Sequence, residues 1–245
     1  MSARVLFDLR MWNWSGIGRY SVNLAKKLAD ISDKEIKLDF LKLRGDKDVE
    51  QAFKNINVVF QETDTKPFSF HQYAGIGLQI FSNYDIVHIP HFVLPVQKKT
   101  RLICTVHDLI PLFYPVTTRF RRLVIKHWIE RALDISDAVI TVSNKVKKDI
   151  LKTYNVSEDK IYVIYEAPDQ FFLSDEGVVP IKKIEGKDFF MVFGNWKYHN
   201  GLDVVISAFM LQGNEKLVIV GSTPAKNQLS KKLAAILEKL LKEVT

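Results

Sequence analysis

The sequence has one cysteine, Cys104, and no long apolar run. A single cysteine excludes a disulfide framework within the chain and argues against a thiolate metal site. No apolar run approaches the roughly 20 residues of a membrane-spanning helix. Residues 1–10 carry charges within their apolar stretch, which argues against a signal peptide. Together these absences predict a protein of the reducing cytoplasm.

The composition is that of an ordinary globular protein, with 47% hydrophobic and 26% charged residues in 245. That length suits one large domain or two modest ones. The net charge of +7 favours anionic partners, which include nucleic acid, lipid headgroups and phosphorylated substrates. No nucleic-acid-binding motif is recognisable, so nucleic acid is not an expected partner.

Short β-branched runs alternate with longer helical patterns along the chain. The predicted strands are Arg4–Asp8, Asp85–Ile89, Arg101–Val106, Ala138–Val142, Lys160–Ile164, Phe189–Phe193 and Lys216–Val220. The predicted helices are Ile17–Ile31, Phe120–Leu133, Lys145–Tyr154 with Ser143 as its N-cap, Leu202–Leu211 and Gln228–Lys242. The alternation predicts an α/β protein with a Rossmann-like parallel sheet covered on both faces.

The pattern divides the chain into two predicted domains, 1–172 and 173–245. The second contains only two strand–helix units, so we expect a partial Rossmann-like domain with a small core. Ligands of such sheets bind beyond the carboxyl ends of the strands. Residues that follow each strand are therefore the candidate site residues.

The first candidate loop contains Gly16, Gly18 and Arg19. Two glycines before a helix allow backbone N–H groups to approach an anion, and Arg19 adds positive charge. The alternative is a tight turn that needs glycine for its conformation. The full dinucleotide-binding fingerprint fails, because Ser21 stands where its third glycine belongs, which argues against an NAD-dependent oxidoreductase.

Histidines follow two further strands. His88 and His91 are spaced to ligate a metal, but no further ligand cluster supports a metal site, so we expect them to line a cleft. His107 and Asp108 follow the next strand, where the carboxylate is expected to fix the tautomer or charge of the imidazole. The alternative is a buried histidine that hydrogen-bonds to the backbone.

Two other features bear positive charge. Asn195 and Lys197 lie in a loop before a helix, which predicts either a phosphate site or a surface loop. Arg119, Arg122 and Lys126 share one face of a helix. Such a face is typical of a helix that lies on anionic lipid, and a solvated basic face has the same pattern.

Taken in order, these segments resemble glycosyltransferase family 4, the retaining enzymes of the GT-B fold, and especially their mannosyltransferase-like branch. The resemblance rests on an ordered set of segments that covers nearly the whole chain: 5–8, 15–20, 88–91, 105–111, 138–143, 161–169, 194–197 and 217–221. It implies a domain that binds the acceptor, followed by a partial domain that binds the donor.

The resemblance also implies roles. Gly16, Gly18, Asn195 and Lys197 would contact the donor diphosphate, and His107 the donor sugar near the reacting carbon. Arg19, His88 and His91 would line the acceptor cleft, and Asp108 would assist His107. The donor would be a nucleotide sugar, GDP-mannose by family, and the acceptor a glycan or a lipid-linked glycan. No cofactor or metal is expected, since protein cations and helix N-termini stabilise the leaving diphosphate.

Two departures from the family pattern matter. Many relatives have a second diphosphate-binding lysine where this chain has Asn200. The family's later glutamate-containing segment is also absent, which leads us to expect a truncated or split enzyme completed by a partner chain or by a homo-oligomer. The alternative function is a non-catalytic accessory subunit that binds acceptor and is completed by a partner.

Overall fold

The computed structural model describes residues 2–32, 36–95, 100–114, 118–168, 173, 188–194, 200–212 and 216–221. The chain divides into two compact units, which are described separately. One comprises Met1–Phe113 with Thr117–Leu173, and the other comprises Tyr114–Val116 with Ser174–Thr245.

The first unit is built on a parallel seven-stranded sheet. Its strands are β1 (Ala3–Asp8), β2 (Ile36–Leu43), β3 (Val59–Thr63), β4 (Ile86–Ile89), β5 (Arg101–Val106), β6 (Ala138–Thr141) and β7 (Ile161–Val163). Its α-helices are α1 (Ser15–Ile31), α2 (Lys47–Ala52), α3 (Phe70–Ala74), α4 (Ile110–Phe113), α5 (Arg119–Ile135) and α6 (Asn144–Thr153). The Rossmann-like α/β fold predicted from the sequence is confirmed.

Both faces of this sheet carry a hydrophobic core, because successive strand residues point to opposite faces. Leu6 packs on one face with Ile129 and Leu133 of α5 and Ile150 of α6. Phe7, the next residue, packs on the other face in a cluster that draws residues from α1, α2 and β2; its buried members include Ala25, Phe40, Val49 and Phe53. Burial on both faces explains why these strands are continuous apolar runs.

Side-chain caps set where several helices begin. The hydroxyl of Ser143 accepts a hydrogen bond from the N–H of Val146, which confirms its predicted capping role. Thr118 caps α5 in the same way, through the N–H of Arg121. By contrast, α1 begins after Trp14 with no side-chain cap and no acidic residue in its first turn.

The described part of the second unit is a βαβ segment. Its elements are β8 (Phe190–Phe193), α7 (Leu202–Gln212) and β9 (Leu217–Val220), and the two strands pair in parallel. Leu202 and Ile206 of α7 are buried in its small core. The helix predicted over Gln228–Lys242 lies outside the described residues.

Candidate functional site

The strand order places a crevice between β1 and β4. The order is β3-β2-β1-β4-β5-β6-β7, so the chain proceeds outward in one direction from β1 and in the other from β4. Phe7 of β1 pairs with His88 of β4, which brings the carboxyl ends of the two strands together. Ligands of open parallel sheets bind at such a reversal of strand order. The segments after β1 and β4 are therefore the natural site.

His107, directly after β5, lies at this edge of the sheet. Its Nε2 is 3.0 Å from the carbonyl oxygen of Pro90, which follows β4. A carbonyl can only accept, so Nε2 carries a proton. The ring of Tyr20 from α1 packs edge-on against His107, with centroids 4.7 Å apart. Segments associated with three neighbouring strands thus meet at His107.

Asp108 does not pair with His107, which corrects the expected arrangement. Its Oδ1 accepts a hydrogen bond of 2.9 Å from the N–H of Ile110, at the start of the short helix α4. The side chain is exposed and turned to the helix because a carboxylate two residues before a free N–H readily forms this turn. The carboxylate that faces His107 belongs to Glu166, whose Oε1 lies 3.4 Å from Nδ1.

His88 lies beneath this edge and is buried. Its Nε2 is 3.2 Å from Oγ1 of Thr105 on β5. Burial lowers the pKa of His88 to about 4, so its ring is neutral near pH 7. A direct contact between His88 and an acceptor stays a prediction. In the structure the His88 ring lies below the edge of the sheet, where it contacts Thr105.

His91 is also buried and neutral. Its Nδ1 accepts a hydrogen bond of 3.0 Å from the N–H of Val93, so the neutral ring carries its proton on Nε2. That Nε2 makes no hydrogen bond within the described ranges and lies 3.9 Å from Oδ2 of Asp8. Burial lowers the pKa of His91 to about 3. Its predicted acceptor contact also stays a prediction.

The sequence reasoning missed a buried ion pair at the end of β1. Arg10 donates from Nη2 to Oδ2 of Asp8 at 2.6 Å, and from Nη1 to Thr65 O and Gln72 Oε1. Burial alone would raise the pKa of Asp8, but the charge and hydrogen bonds of Arg10 outweigh burial and lower it. The signal was the Asp-Leu-Arg tripeptide at the carboxyl end of an apolar strand.

The two glycines of the first loop have different surroundings, and both lie inside α1 rather than before it. The N–H of Gly18 donates to Trp14 O, and a Cβ at Gly18 would lie 2.1 Å from the backbone oxygen of Trp12. Gly18 therefore permits close packing of the backbone. Gly16 is exposed, and a Cβ there would meet no atom of the described residues within 4 Å. Only Gly16 leaves open space at the helix N-terminus, and Arg19 is exposed on the same helix.

The remaining predicted residues divide into two groups. Asn195 and Lys197 lie outside the described residues. On α5, Arg119 and Lys126 are exposed and Arg122 is half-buried. The helix also exposes apolar side chains that the basic pattern did not reveal, Phe120 at 75% and Leu123 at 67%.

Within the described ranges, no group of three or more histidine, cysteine, aspartate or glutamate side chains is placed to hold a metal ion. Within the same ranges, no helix combines the length and apolar character needed to span a membrane.

Comparison with known proteins decides the family. The sequence profile of Glycosyltransferase Family 4 matches residues 14–169, which include Gly16, His88, His91 and His107. The chain belongs to glycosyltransferase family 4. The matched segment covers strands β2 to β7 of the seven-stranded sheet, and these include β4 on one side of the strand-order reversal.

A curated relative within this group of enzymes is the O-antigen chain mannosyltransferase RfbU of Salmonella typhimurium. It is 26% identical over 224 residues, which cover 84% of this chain and 58% of RfbU. The family 4 chain thus spans less than two thirds of that relative.

Solved structures share the fold at low identity. A glycosyltransferase from Rickettsia africae matches with a TM-score of 0.63 and 16% identity, over 98% of this chain and 66% of that one. The S. aureus protein MnaA, solved with UDP, matches with a TM-score of 0.53 and 9% identity, over 97% of this chain and 65% of that one. Both likenesses agree with the family 4 fold.

Proposed function

We propose that this chain acts as a retaining glycosyltransferase that transfers a hexose, mannose in particular, from a nucleotide sugar to a glycan or lipid-linked acceptor. The observation that carries the proposal is the meeting of segments associated with β1, β4 and β5 at His107, within the part of the chain that matches family 4. The name of the relative RfbU supports mannose, and GDP-mannose is the proposed donor.

The proposed chemistry assigns roles at the edge of the sheet. The bond between the sugar's anomeric carbon and the diphosphate breaks, and its electron pair leaves with the phosphate oxygen. The acceptor oxygen forms the new bond, and its proton passes to the leaving diphosphate or to solvent. The N-terminus of α1 at Gly16, with Arg19 nearby, would stabilise the leaving charge without a metal or other cofactor. His107 would hydrogen-bond the donor sugar near the reacting carbon.

We further propose that α5 contacts the membrane that carries a lipid-linked acceptor. Phe120 and Leu123 expose large apolar side chains, and Arg119, Arg121 and Lys126 are exposed on the same helix. An amphipathic helix of this kind binds a lipid surface by apolar burial and by attraction to anionic headgroups. This contact would place the protein at the inner face of the membrane.

The transfer proposal is tested by titrating the chain with GDP-mannose, UDP-glucose and NADH in a calorimeter. Transfer to lipid-linked glycan is then followed by mass spectrometry, with the chain alone and with a candidate partner chain. We expect nucleotide sugar to bind and NADH not to bind. His107→Ala should lower transfer about 100-fold, the loss typical of one hydrogen-bond donor to a transition state.

The matched control is His71→Ala, because His71 is an exposed histidine of α3. Circular dichroism should show the same fold in both variants. Equal transfer by wild type and His107→Ala would remove His107 from the site. Acceptor binding without any binding of nucleotide sugar would instead indicate an accessory subunit.

A further inference from the structure

Glu166 is the acidic residue that faces His107. It follows β7, and its Oε1 lies 3.4 Å from Nδ1 of His107, which follows β5 two strands away in the sheet. The neighbouring Tyr165 anchors this segment, since its hydroxyl accepts a hydrogen bond of 2.6 Å from the side-chain amide of Asn144 in α6. This hydrogen bond connects the segment that carries Glu166 to α6.

The two ring nitrogens of His107 face different oxygens. Nε2 donates to the carbonyl of Pro90, so only Nδ1 remains for a substrate. With Nε2 protonated, an Nδ1 without a proton would turn a lone pair toward the carboxylate of Glu166. That lone pair and the carboxylate would repel each other. A second proton of the ring, on Nδ1, replaces the repulsion with an ion pair between His107 and Glu166.

Building on the proposed transferase function, we infer that Glu166 is a positioning residue for His107. Its carboxylate orients the His107 ring and favours a proton on Nδ1. The Nδ1–H group can then donate a hydrogen bond to a hydroxyl of the donor sugar. A separation of 3.4 Å is longer than a usual N–H···O hydrogen bond. Nδ1–H can therefore be shared with a sugar hydroxyl. Glu166 is half exposed, which leaves that side of the ring accessible.

The other titratable groups that the described part of the chain places around His107 do not supply this charge. The carboxylate of Asp108 is turned to the N–H of Ile110. Burial lowers the pKa of His88 to about 4 and of His91 to about 3, so both are neutral near pH 7. Burial raises the pKa of Tyr20, which keeps its phenolic proton. The buried carboxylate of Asp8 lies beside His91 and is already paired with Arg10.

The inference is tested on the chain itself by nitrogen-15 NMR of the His107 ring near pH 7, assigned with His107→Gln. In Glu166→Gln the Nδ1 signal should move toward that of a ring nitrogen without a proton, because the carboxylate that faces Nδ1 is lost. Glu166→Asp, which keeps the carboxylate, should recover part of the change. An unchanged Nδ1 signal in Glu166→Gln would overturn the inference.

The matched control is Glu158→Gln. Glu158 precedes β7 and pairs with Lys147 at 3.2 Å, so it lies at the opposite end of the same strand. Its loss should leave the His107 ring signals unchanged. An equal change in both variants would show a general effect of net charge and would also overturn the inference.

Transfer assays separate this inference from the function on which it rests. Glu166→Gln should lower kcat about tenfold with little change in donor KM, and Glu166→Asp should restore part of kcat. A His107 ring signal that depends on Glu166 in a protein with no transferase activity would contradict the function and leave the pairing intact. Transfer that depends on His107 but not on Glu166 would contradict the positioning role alone.

Discussion

Nη2 of Arg10 lies 2.6 Å from Oδ2 of Asp8, and both side chains are almost completely buried at the carboxyl end of β1. The same guanidinium reaches Thr65 O and the side chain of Gln72, and the Gln72 amide donates to Val93 O. One cation therefore links segments that follow β1, β3 and β4. We infer that it fixes the backbone on which the site is built.

Arg10→Met should destabilise the first unit severely. The substitution leaves the Asp8 carboxylate buried without its partner, which typically costs about 3–5 kcal/mol of unfolding free energy. Urea denaturation followed by circular dichroism measures the loss. Arg44→Met is the control, because Arg44 pairs with Asp64 on the surface and such pairs contribute under about 1 kcal/mol. Similar losses in the two variants would show that the buried pair has no special role.

Gly16→Ala and Gly18→Ala should separate donor binding from packing. Alanine at 18 must displace the Trp12 backbone, so we expect a loss of about 1–3 kcal/mol in unfolding free energy. Alanine at 16 meets no atom within 4 Å among the residues that the structure describes, and it should leave stability within about 0.5 kcal/mol of wild type. It should nevertheless weaken GDP-mannose binding by about tenfold if the diphosphate sits on this turn. If calorimetry shows that Gly16→Ala binds GDP-mannose with unchanged affinity, the diphosphate binds elsewhere.

Acid should destabilise the fold through two buried histidines, His88 and His91. Unfolded histidine binds a proton below a pH of about 6.5, whereas burial holds the pKa of His88 near about 4 and of His91 near about 3. Between those values the unfolded chain binds more protons, so unfolding free energy falls as pH falls.

The test compares unfolding free energies from pH about 6.5 to about 4.5, a range above the lowered pKa of Asp8. His91→Asn does not titrate and should show a shallower decline than wild type, by about 1 to 3 kcal/mol. His71→Asn, at an exposed position, should follow the wild-type curve. Parallel curves for wild type and His91→Asn would mean that His91 is not held neutral.

Removing the exposed apolar side chains of α5 should weaken lipid binding. The double variant Phe120→Ser with Leu123→Ser should bind phosphatidylglycerol vesicles about tenfold less tightly, because less apolar area enters the interface. Arg119→Gln with Arg121→Gln should lower the preference for anionic over neutral vesicles. Sedimentation with vesicles measures both effects.

The control for vesicle binding is Ile31→Ser, an equally exposed apolar position at the end of α1. It should bind vesicles as the wild type does. If the α5 variants also bind like the wild type, the membrane contact proposed for this helix is wrong.

Strands that are mostly apolar were predictable from the sequence, whereas β2, which contains several charged residues, was not. The predicted β5 matches the structure at both ends, because Arg101–Val106 is apolar apart from its first residue and Thr105. The prediction omitted β2, in which Lys42 is fully buried near the strand end through ion pairs with Glu50 and Glu62. A buried lysine whose partners lie elsewhere in the chain looks like a surface residue in the sequence.

The site was predictable to the extent that it lies just after the strands. His107 is at the edge of the sheet where the rule for parallel sheets places it. Its carboxylate neighbour could not be identified, because the sequence favours the adjacent Asp108, whereas the order of β5, β6 and β7 brings Glu166 to the ring. Contacts across a sheet depend on strand order, which periodicity does not determine.

Cys104, the single cysteine of the sequence, can be used to measure how readily the strands of this sheet separate. The thiol is completely buried on β5 between β4 and β6, and burial raises its pKa to about 11. A thiol-reactive dye should therefore label the protein only after those central strands separate. The labelling rate as a function of urea then gives the free energy of that separation without any engineered probe.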